Sequence, residues 1–557
     1  MKVTRRDLLL WGTGAAAGLV LTPVPWKLLG DVSIWSQNWP WIPQPTHAPV
    51  EVKRSSCTLC PKGCPMRVRL AAGWPVGVAG VPSHPLSRGA LCPLGFGAHQ
   101  LNWHPQRLRT VLHGEKSSSW NEARIAFAKA LREGPIAIVD GYPGRAASLV
   151  FDSFAQKQGG SYHVVPSPEI RALAPYQALG GVPAVDLGYD LENARTVLSF
   201  GAPLLDGWGI PGRFNHLWAE RAAGAADPQL RLIQVEDSLS RTAARAWQWA
   251  PIRAGAEAAL ATAMARVLLE EGRVSARVPI PALTLAEAEQ QTGLSTDAIR
   301  GLARTIVARP PVVAIATDDN PSIAALNVAL GAVGTRGGIV RRGKKAKSYP
   351  GIDTIGSVRA VLIDSTVPWD FTPSANAEVF RFAAWNGASS RAGGADWLLP
   401  APGFLEELTD VPTPPTSAVE TYAVAPSLVK ATPEVQSAAQ LLCGTDTDLA
   451  TVEKTIHARC EDLFQARAGT LYGDATMPVA QVVSVEKLEE QLRSGAAWIG
   501  EDVSSERLRC ELKNWPTAVD SPSSRQETTW GGPALPPLAS KLYQESNLRE
   551  ASEWRKA

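Results

Sequence analysis

Four of the seven cysteines in this 557-residue chain lie between Cys57 and Cys92, spaced C-x2-C-x3-C-x27-C. Three close thiolates, Cys57, Cys60 and Cys64, can hold one side of a small metal group while the distant Cys92 closes it. Sulfur is a soft donor, so an iron–sulfur cluster or zinc is the matching chemistry. Gly63 before the third cysteine, and prolines after Cys60, Cys64 and Cys92, suit a tight loop. The spacing predicts a [4Fe-4S] cluster. A structural zinc knot or two disulfides are the competing readings, although zinc sites more often pair two C-x2-C units. No other chemistry is written as plainly. G-x-S-x-G and H-E-x-x-H are both absent, and without a C-x-x-C-H any haem must sit on a partner. Cys443, Cys460 and Cys510 have no ligand spacing and read as buried or incidental thiols.

The first thirty residues read as an address. Thr4-Arg5-Arg6-Asp7-Leu8-Leu9 is a twin-arginine pattern, followed by a weakly apolar run to Leu21 that is short for a bilayer span. That export route carries folded proteins with cofactors in place, which agrees with the cysteine motif. No A-x-A site is evident, so the segment could remain as a tether; the expected location is the periplasmic face of a bacterial inner membrane. Residues 31 to about 50 are rich in Trp and Pro and should run extended. The composition is globular, with 45% hydrophobic and 19% charged residues. A net charge of +2 gives no reason to expect a nucleic-acid partner.

The cysteines need a scaffold, and the rest of the chain supplies the pattern of one. The expected cluster domain spans residues 31–112, with Met66–Leu70 and Val76–Val81 as short strands. From 113 to 410 buried strand-like runs (Ile136–Asp140, Arg195–Gly201, Leu230–Val235, Val312–Thr317, Val358–Ile363, Val379–Trp385) alternate with amphipathic helices such as Trp120–Leu131, Ala256–Glu271 and Thr296–Ala308. That order predicts α/β domains with parallel sheets. A cleft is expected beyond the strand ends at Asp140-Gly141, Gly201-Ala202 and Asp237-Ser238. The basic run Arg341–Lys347 reads as a solvated loop, or else a patch for an acidic partner. Residues 411–557 look irregular and helical, with helical pieces at Gln436–Leu442, Thr451–Arg467 and Val483–Arg493.

Taken in order, these pieces resemble the molybdopterin oxidoreductase superfamily over roughly residues 50 to 410. The resemblance is carried by Cys57–Cys64 with Gly89-Ala90-Leu91-Cys92, and by Tyr189–Ala194 leading to Ser199-Phe200-Gly201-Ala202. It continues through Thr242-Ala243 to Pro251–Gly255, Leu330-Gly331 to Gly337-Gly338, and Ala395–Pro400 to Glu406. It implies a small N-terminal iron–sulfur domain followed by parallel-sheet α/β domains. Four departures accompany it. Leu94 stands where the family usually has a lysine between cluster and pterin, and Pro203 replaces a pterin-contacting asparagine. The stretch Ala174–Gly181 offers no molybdenum ligand, with Asp186 a weak substitute. The C-terminal domain that clasps pterin dinucleotides is expected to be missing.

Asp31–Trp41 and Cys92-Pro93-Leu94-Gly95 look like a molybdenum-free lineage within that superfamily. It comprises the molybdopterin-binding-like subunits of menaquinone reductase complexes and the large subunit of alternative complex III. The resemblance implies an electron-transfer subunit with one [4Fe-4S] cluster on Cys57, Cys60, Cys64 and Cys92, and no molybdenum bis-pterin. It implies three partners: a multihaem cytochrome c, a ferredoxin-like subunit and a membrane subunit that handles quinone. The alternative is a molybdenum enzyme acting on a small oxyanion or sulfur compound. Lys62, Arg67 and Arg69 could raise the cluster potential, or simply be solvated.

Overall fold

The computed structural model describes residues 4–21, 50–104, 107–274, 279–342, 349–364, 377–384, 395–501, 508, 510, 512 and 514–516. Residues 31–41, 343–348 and the tail from Ser521 therefore lie outside the described residues. The twin-arginine segment forms a helix, Arg5–Leu21, whose Leu8, Leu9, Leu10 and Trp11 are exposed. Among the described residues no helix is long and apolar enough to cross a membrane.

The cluster domain is an antiparallel sheet of β1 (Val50–Ser56), β2 (Pro65–Ala71) and β3 (Trp74–Gly80). Along β2, Met66, Val68 and Leu70 are buried while Arg67 and Arg69 face solvent. This period-two alternation keeps one face of the sheet on the core.

Two parallel-sheet units follow, one inserted in the other. The larger sheet contains β4 (Val111–His113), β5 (Lys116–Ser118), β6 (Ile136–Asp140), β7 (Ser161–Val164), β14 (Ala360–Ile363), β15 (Glu378–Ala383) and β16 (Trp397–Pro400). Its spatial order is β5-β4-β16-β15-β14-β6-β7, parallel from β16 through β7. The expected boundary near residue 112 thus falls inside a strand of this sheet. The inserted sheet has the order β11-β10-β9-β12, all parallel, from β9 (Thr196–Phe200), β10 (Arg231–Glu236), β11 (Gln248–Pro251) and β12 (Val312–Ala316). Every residue of β6, β9, β12 and β14 is buried, as expected for strands covered on both faces. Helices do the covering: Trp120–Glu133 starts at a Ser119/Glu122 capping box, and Thr296–Val307 turns Ile299, Leu302, Ala303 and Ile306 inward. A small ribbon of β8 (Leu187–Tyr189) and β13 (Ile339–Arg341) flanks the insert.

Residues 409–499 differ from the irregular, helical extension expected. The helices are present, at Ala438–Thr445, Val452–Ala466 and Val485–Arg493. With them comes an antiparallel sheet in the order β17-β18-β21-β19-β20. Its strands are β17 (Thr409–Val411), β18 (Thr421–Ala425), β19 (Thr470–Tyr472), β20 (Thr476–Pro478) and β21 (Ala497–Ile499). Most are three residues long, too short to show an alternating pattern in sequence.

Arg341 and Arg342 also correct an expectation. Arg341 lies in β13, and Arg342 is buried rather than part of a solvated loop. None of the seven cysteines is in a disulfide; Cys460 is buried, and Cys443 and Cys510 are half-buried.

Candidate metal centre

Cys57 follows the end of β1 and Cys64 immediately precedes β2, so the hairpin-like connection between them carries three of the four thiols. The Cys57 amide donates to the Cys64 carbonyl at 2.8 Å, closing the loop at its base. Inside it Gly63 adopts φ +56°, a conformation most side chains avoid. Cys92 arrives as the N-cap of the short helix Pro93–Gly97, and its Sγ accepts from the Gly95 amide at 3.4 Å. All four cysteines are between 5% and 8% exposed. Leu59, Met66, Leu91, Leu101 and Phe404 surround them.

Electrostatics show that these thiols form one group. Burial, and then the neighbouring Cys60, Cys64 and Cys92, push the Cys57 thiol well up. Cys64 is raised in the same way, by burial and then by Cys60 and Cys92. Cys60 is pushed up only to about 11, because Lys62 offsets the burial. Thiolates gathered in an apolar pocket are unfavourable unless a cation shares their charge, as bound iron does. No three His, Cys, Asp or Glu among the described residues converge as ligands of a single metal ion. The donor set and its dry walls fit an iron–sulfur cluster.

The sequence offered Lys62, Arg67 and Arg69 as cluster-side cations, and the structure separates them. Arg67 and Arg69 are exposed on the outer face of β2. Lys62 is buried, donates to the Gly207 carbonyl and lies 3.2 Å from Glu169 Oε1. Glu169, also buried, accepts from the Gly209 amide at 2.9 Å. Burial opposes both charges, yet Glu169 holds the Lys62 ammonium above its ordinary range and Lys62 holds the Glu169 carboxyl below its own. A lysine within the cysteine loop thus reaches the loop that follows β9. Glu169 had no local signal in sequence; only the fold brings it to Lys62.

Leu94 is half-buried in the helix after Cys92 and packs on the cluster-domain core. Pro203 is the acceptor of a turn, taking the amides of Asp206 and Trp208. Ala174 precedes the helix Pro175–Gly180, which carries no thiol or carboxylate, and Asp186 is buried beside the Arg342 guanidinium.

The comparisons with known proteins agree with this geometry. Residues 50–101 match the molybdopterin oxidoreductase Fe4S4 domain. The chain carries that domain. Beyond it, the chain is 32% identical over 365 residues to the menaquinone reductase molybdopterin-binding-like subunit of Nitratidesulfovibrio vulgaris, covering 61% of this chain and 52% of that protein. It is 25% identical over 261 residues to the nitrate-inducible formate dehydrogenase major subunit of Escherichia coli, covering 40% of this chain and 25% of that one. The chain thus spans about half the length of the first relative and a quarter of the second. Among solved structures, acetylene hydratase from Pelobacter acetylenicus aligns with TM-score 0.57 at 13% identity, over 87% of this chain and 79% of that one. That likeness is one of fold.

Two expected results bear on the Fe4S4 domain. A Cβ added at Gly63 would lie 2.0 Å from Val411 Cγ1, on top of the left-handed backbone. Gly63→Ala should cost roughly 2–4 kcal/mol and lower the iron retained through purification, read by metal analysis and denaturant titration. The second concerns pH. His84 is buried, accepts the Leu86 and Ser87 amides on Nδ1, and is held down to about 4 by burial. Its stabilising neutral form is complete above the unfolded value of about 6.5 and is lost as pH falls towards 4. Folding stability should drop by about 3 kcal/mol across that window. His84→Asn, which keeps an acceptor for both amides, should flatten the fall in denaturation midpoint with pH; an unchanged slope would assign it elsewhere.

Proposed function

We propose that this chain is the iron–sulfur electron-transfer subunit of a membrane-associated respiratory quinone oxidoreductase complex, without molybdenum and without substrate chemistry of its own. The observation that carries this reading is the pairing of four buried thiols with a buried Lys62–Glu169 ion pair. The pair places charge beside the thiols. Similarity to a menaquinone reductase subunit supports the respiratory setting. A bound [4Fe-4S] cluster supplies one-electron transfer. The protein's part is to hold Cys57, Cys60, Cys64 and Cys92 in a dry, rigid loop and to set the local charge through Lys62.

On this reading the partners are a multihaem cytochrome c, a ferredoxin-like subunit and an integral membrane subunit that interacts with quinone. Leu94, Pro203 and the ligand-free helix Pro175–Gly180 favour loss of the molybdenum group. The twin-arginine pattern at Arg5-Arg6 favours export in the folded state and a place on the periplasmic face. The second reading, a molybdenum enzyme, draws on the 26% identity to a molybdopterin-containing thiosulfate reductase subunit.

Iron and molybdenum counted in the same natively purified sample separate the two. About four irons and no molybdenum per chain is the expected result; stoichiometric molybdenum would overturn it.

A further inference from the structure

Ligands of open parallel sheets bind beyond the carboxyl ends of the strands, where the strand order reverses. In the inserted sheet that point lies between β9 and β12, because the chain runs from β9 through β10 to β11 on one side and returns as β12 on the other. On the β9 side of this reversal a segment of the chain itself packs against the loop that follows β9. The connection between β17 and β18 enters the centre of the molecule and buries Pro414, Pro415, Thr416, Ser417 and Ala418.

This segment packs closely on its neighbours. A Cβ added at Gly209, in the loop after β9, would lie 2.4 Å from Thr416 Oγ1. One added at Gly188 in β8 would lie 1.9 Å from the Ser417 carbonyl oxygen. Val411 packs on Gly63 of the cysteine loop, and Pro412 lies over Gly144 after β6. One short segment therefore touches the cluster loop, both parallel-sheet units and the β8–β13 ribbon.

Two buried arginines hold it. Arg213 donates to the Thr416 carbonyl at 2.6 Å and to the Tyr189 carbonyl at 2.8 Å, while its other side pairs with Glu192. Arg342 donates to the Pro414 carbonyl at 2.6 Å, to the Ser417 carbonyl at 3.1 Å and to the Val185 carbonyl at 2.9 Å. Buried guanidinium forks at such a crevice are the groups that would otherwise grip phosphates. Here peptide carbonyls take their donors. The segment is also anchored at both ends, since Val411 of β17 pairs with Ala423 of β18, so it lacks the free end of a hinged lid.

We propose that Pro412–Ala418 is a permanent plug in the cofactor crevice and that Arg213 and Arg342 are its clamps. The bis-pterin molybdenum group of the wider superfamily does not fit a crevice filled in this way. The proposal rests on the cluster-only reading and adds the device that closes the space.

Hydrogen exchange of the full natively purified chain, with metal analysis of the same sample, tests it. The Thr416, Ser417 and Ala418 amides should exchange at least ~100-fold more slowly than the exposed Asp237–Leu239 loop. Arg342→Met should speed them ~10-fold or more while the iron count stays unchanged. Fast exchange in the wild-type chain without molybdenum would overturn the plug and leave the cluster-only reading standing. Stoichiometric molybdenum would overturn both. Wild-type protection with no effect of Arg342→Met would remove the clamp from the proposal. Should that variant fail to fold, the wild-type comparison still decides the plug.

Discussion

Cys92→Ser is expected to convert or strip the cluster while Cys57, Cys60 and Cys64 remain in place. A serine oxygen is a harder and less readily ionised donor than a thiolate, so it binds iron poorly at this position. The effect should extend past the metal. Cys92 also caps the helix Pro93–Gly97 through its Sγ, and it joins that helix to the loop carrying the other three ligands. Bound metal couples to folding free energy, so the thermal midpoint should fall with the iron. The measurement pairs iron analysis with the low-temperature electron paramagnetic resonance spectrum of the reduced protein. An unaltered spectrum and four retained irons would remove Cys92 from the ligand set. Cys460→Ser is the control. Cys460 is buried in another core cluster, around Val424 and Leu471, and its replacement should leave the spectrum unchanged.

The second large effect belongs to Lys62 and Glu169. Lys62→Met leaves Glu169 as an uncompensated buried charge, and breaking such a pair costs about 3–5 kcal/mol. It also replaces a neutral pair by a net negative charge beside the thiols, so the cluster potential should fall. A unit charge about 6–10 Å away at an effective dielectric of about 20 shifts a one-electron couple by roughly 70–120 mV. Glu169→Gln should move the potential upward, because it leaves the lysine charge unopposed. The double variant Lys62→Met with Glu169→Gln should recover much of both the stability and the potential. A spectroelectrochemical titration of the four proteins gives the answer. If the two single variants shift in the same direction, the charge argument fails and the pair is a packing feature only.

Much of the α/β scaffold was legible because its strands are continuous apolar runs between turn signals. Ile136–Asp140 and Val312–Ala316 are buried over their whole length, and Thr296–Val307 shows its buried face as a helical period. The candidate ligand cysteines stand out for a different reason, namely that three of them, Cys57, Cys60 and Cys64, are close in sequence. What escaped reading is non-local. Lys62 and Glu169 meet only after two units fold together, and nothing near Glu169 marks it. Arg342 sits in a basic run whose composition suggests solvent, yet its guanidinium is drawn inward by carbonyls contributed from residues 414 and 417. Strands such as Thr409–Val411 and Thr470–Tyr472 are too short and too mixed in composition to carry a period. Nothing in the composition of residues 411–418 marks that segment as buried. Its burial became visible only with the glycines it packs against.

The insertion of one sheet unit within the other has a consequence for how the chain is made. β6 pairs with β14, so the larger sheet cannot close until the whole insert between them has left the ribosome. Contacts so far apart in sequence form late and slowly. The cysteine loop, by contrast, is synthesised first and waits, with its back wall at Phe404 and Val411 still to come. Iron insertion before synthesis finishes would meet a half-built, wet site. Maturation should therefore be post-translational and have its own timetable, and pulse-labelled protein should acquire iron only after chains reach full length.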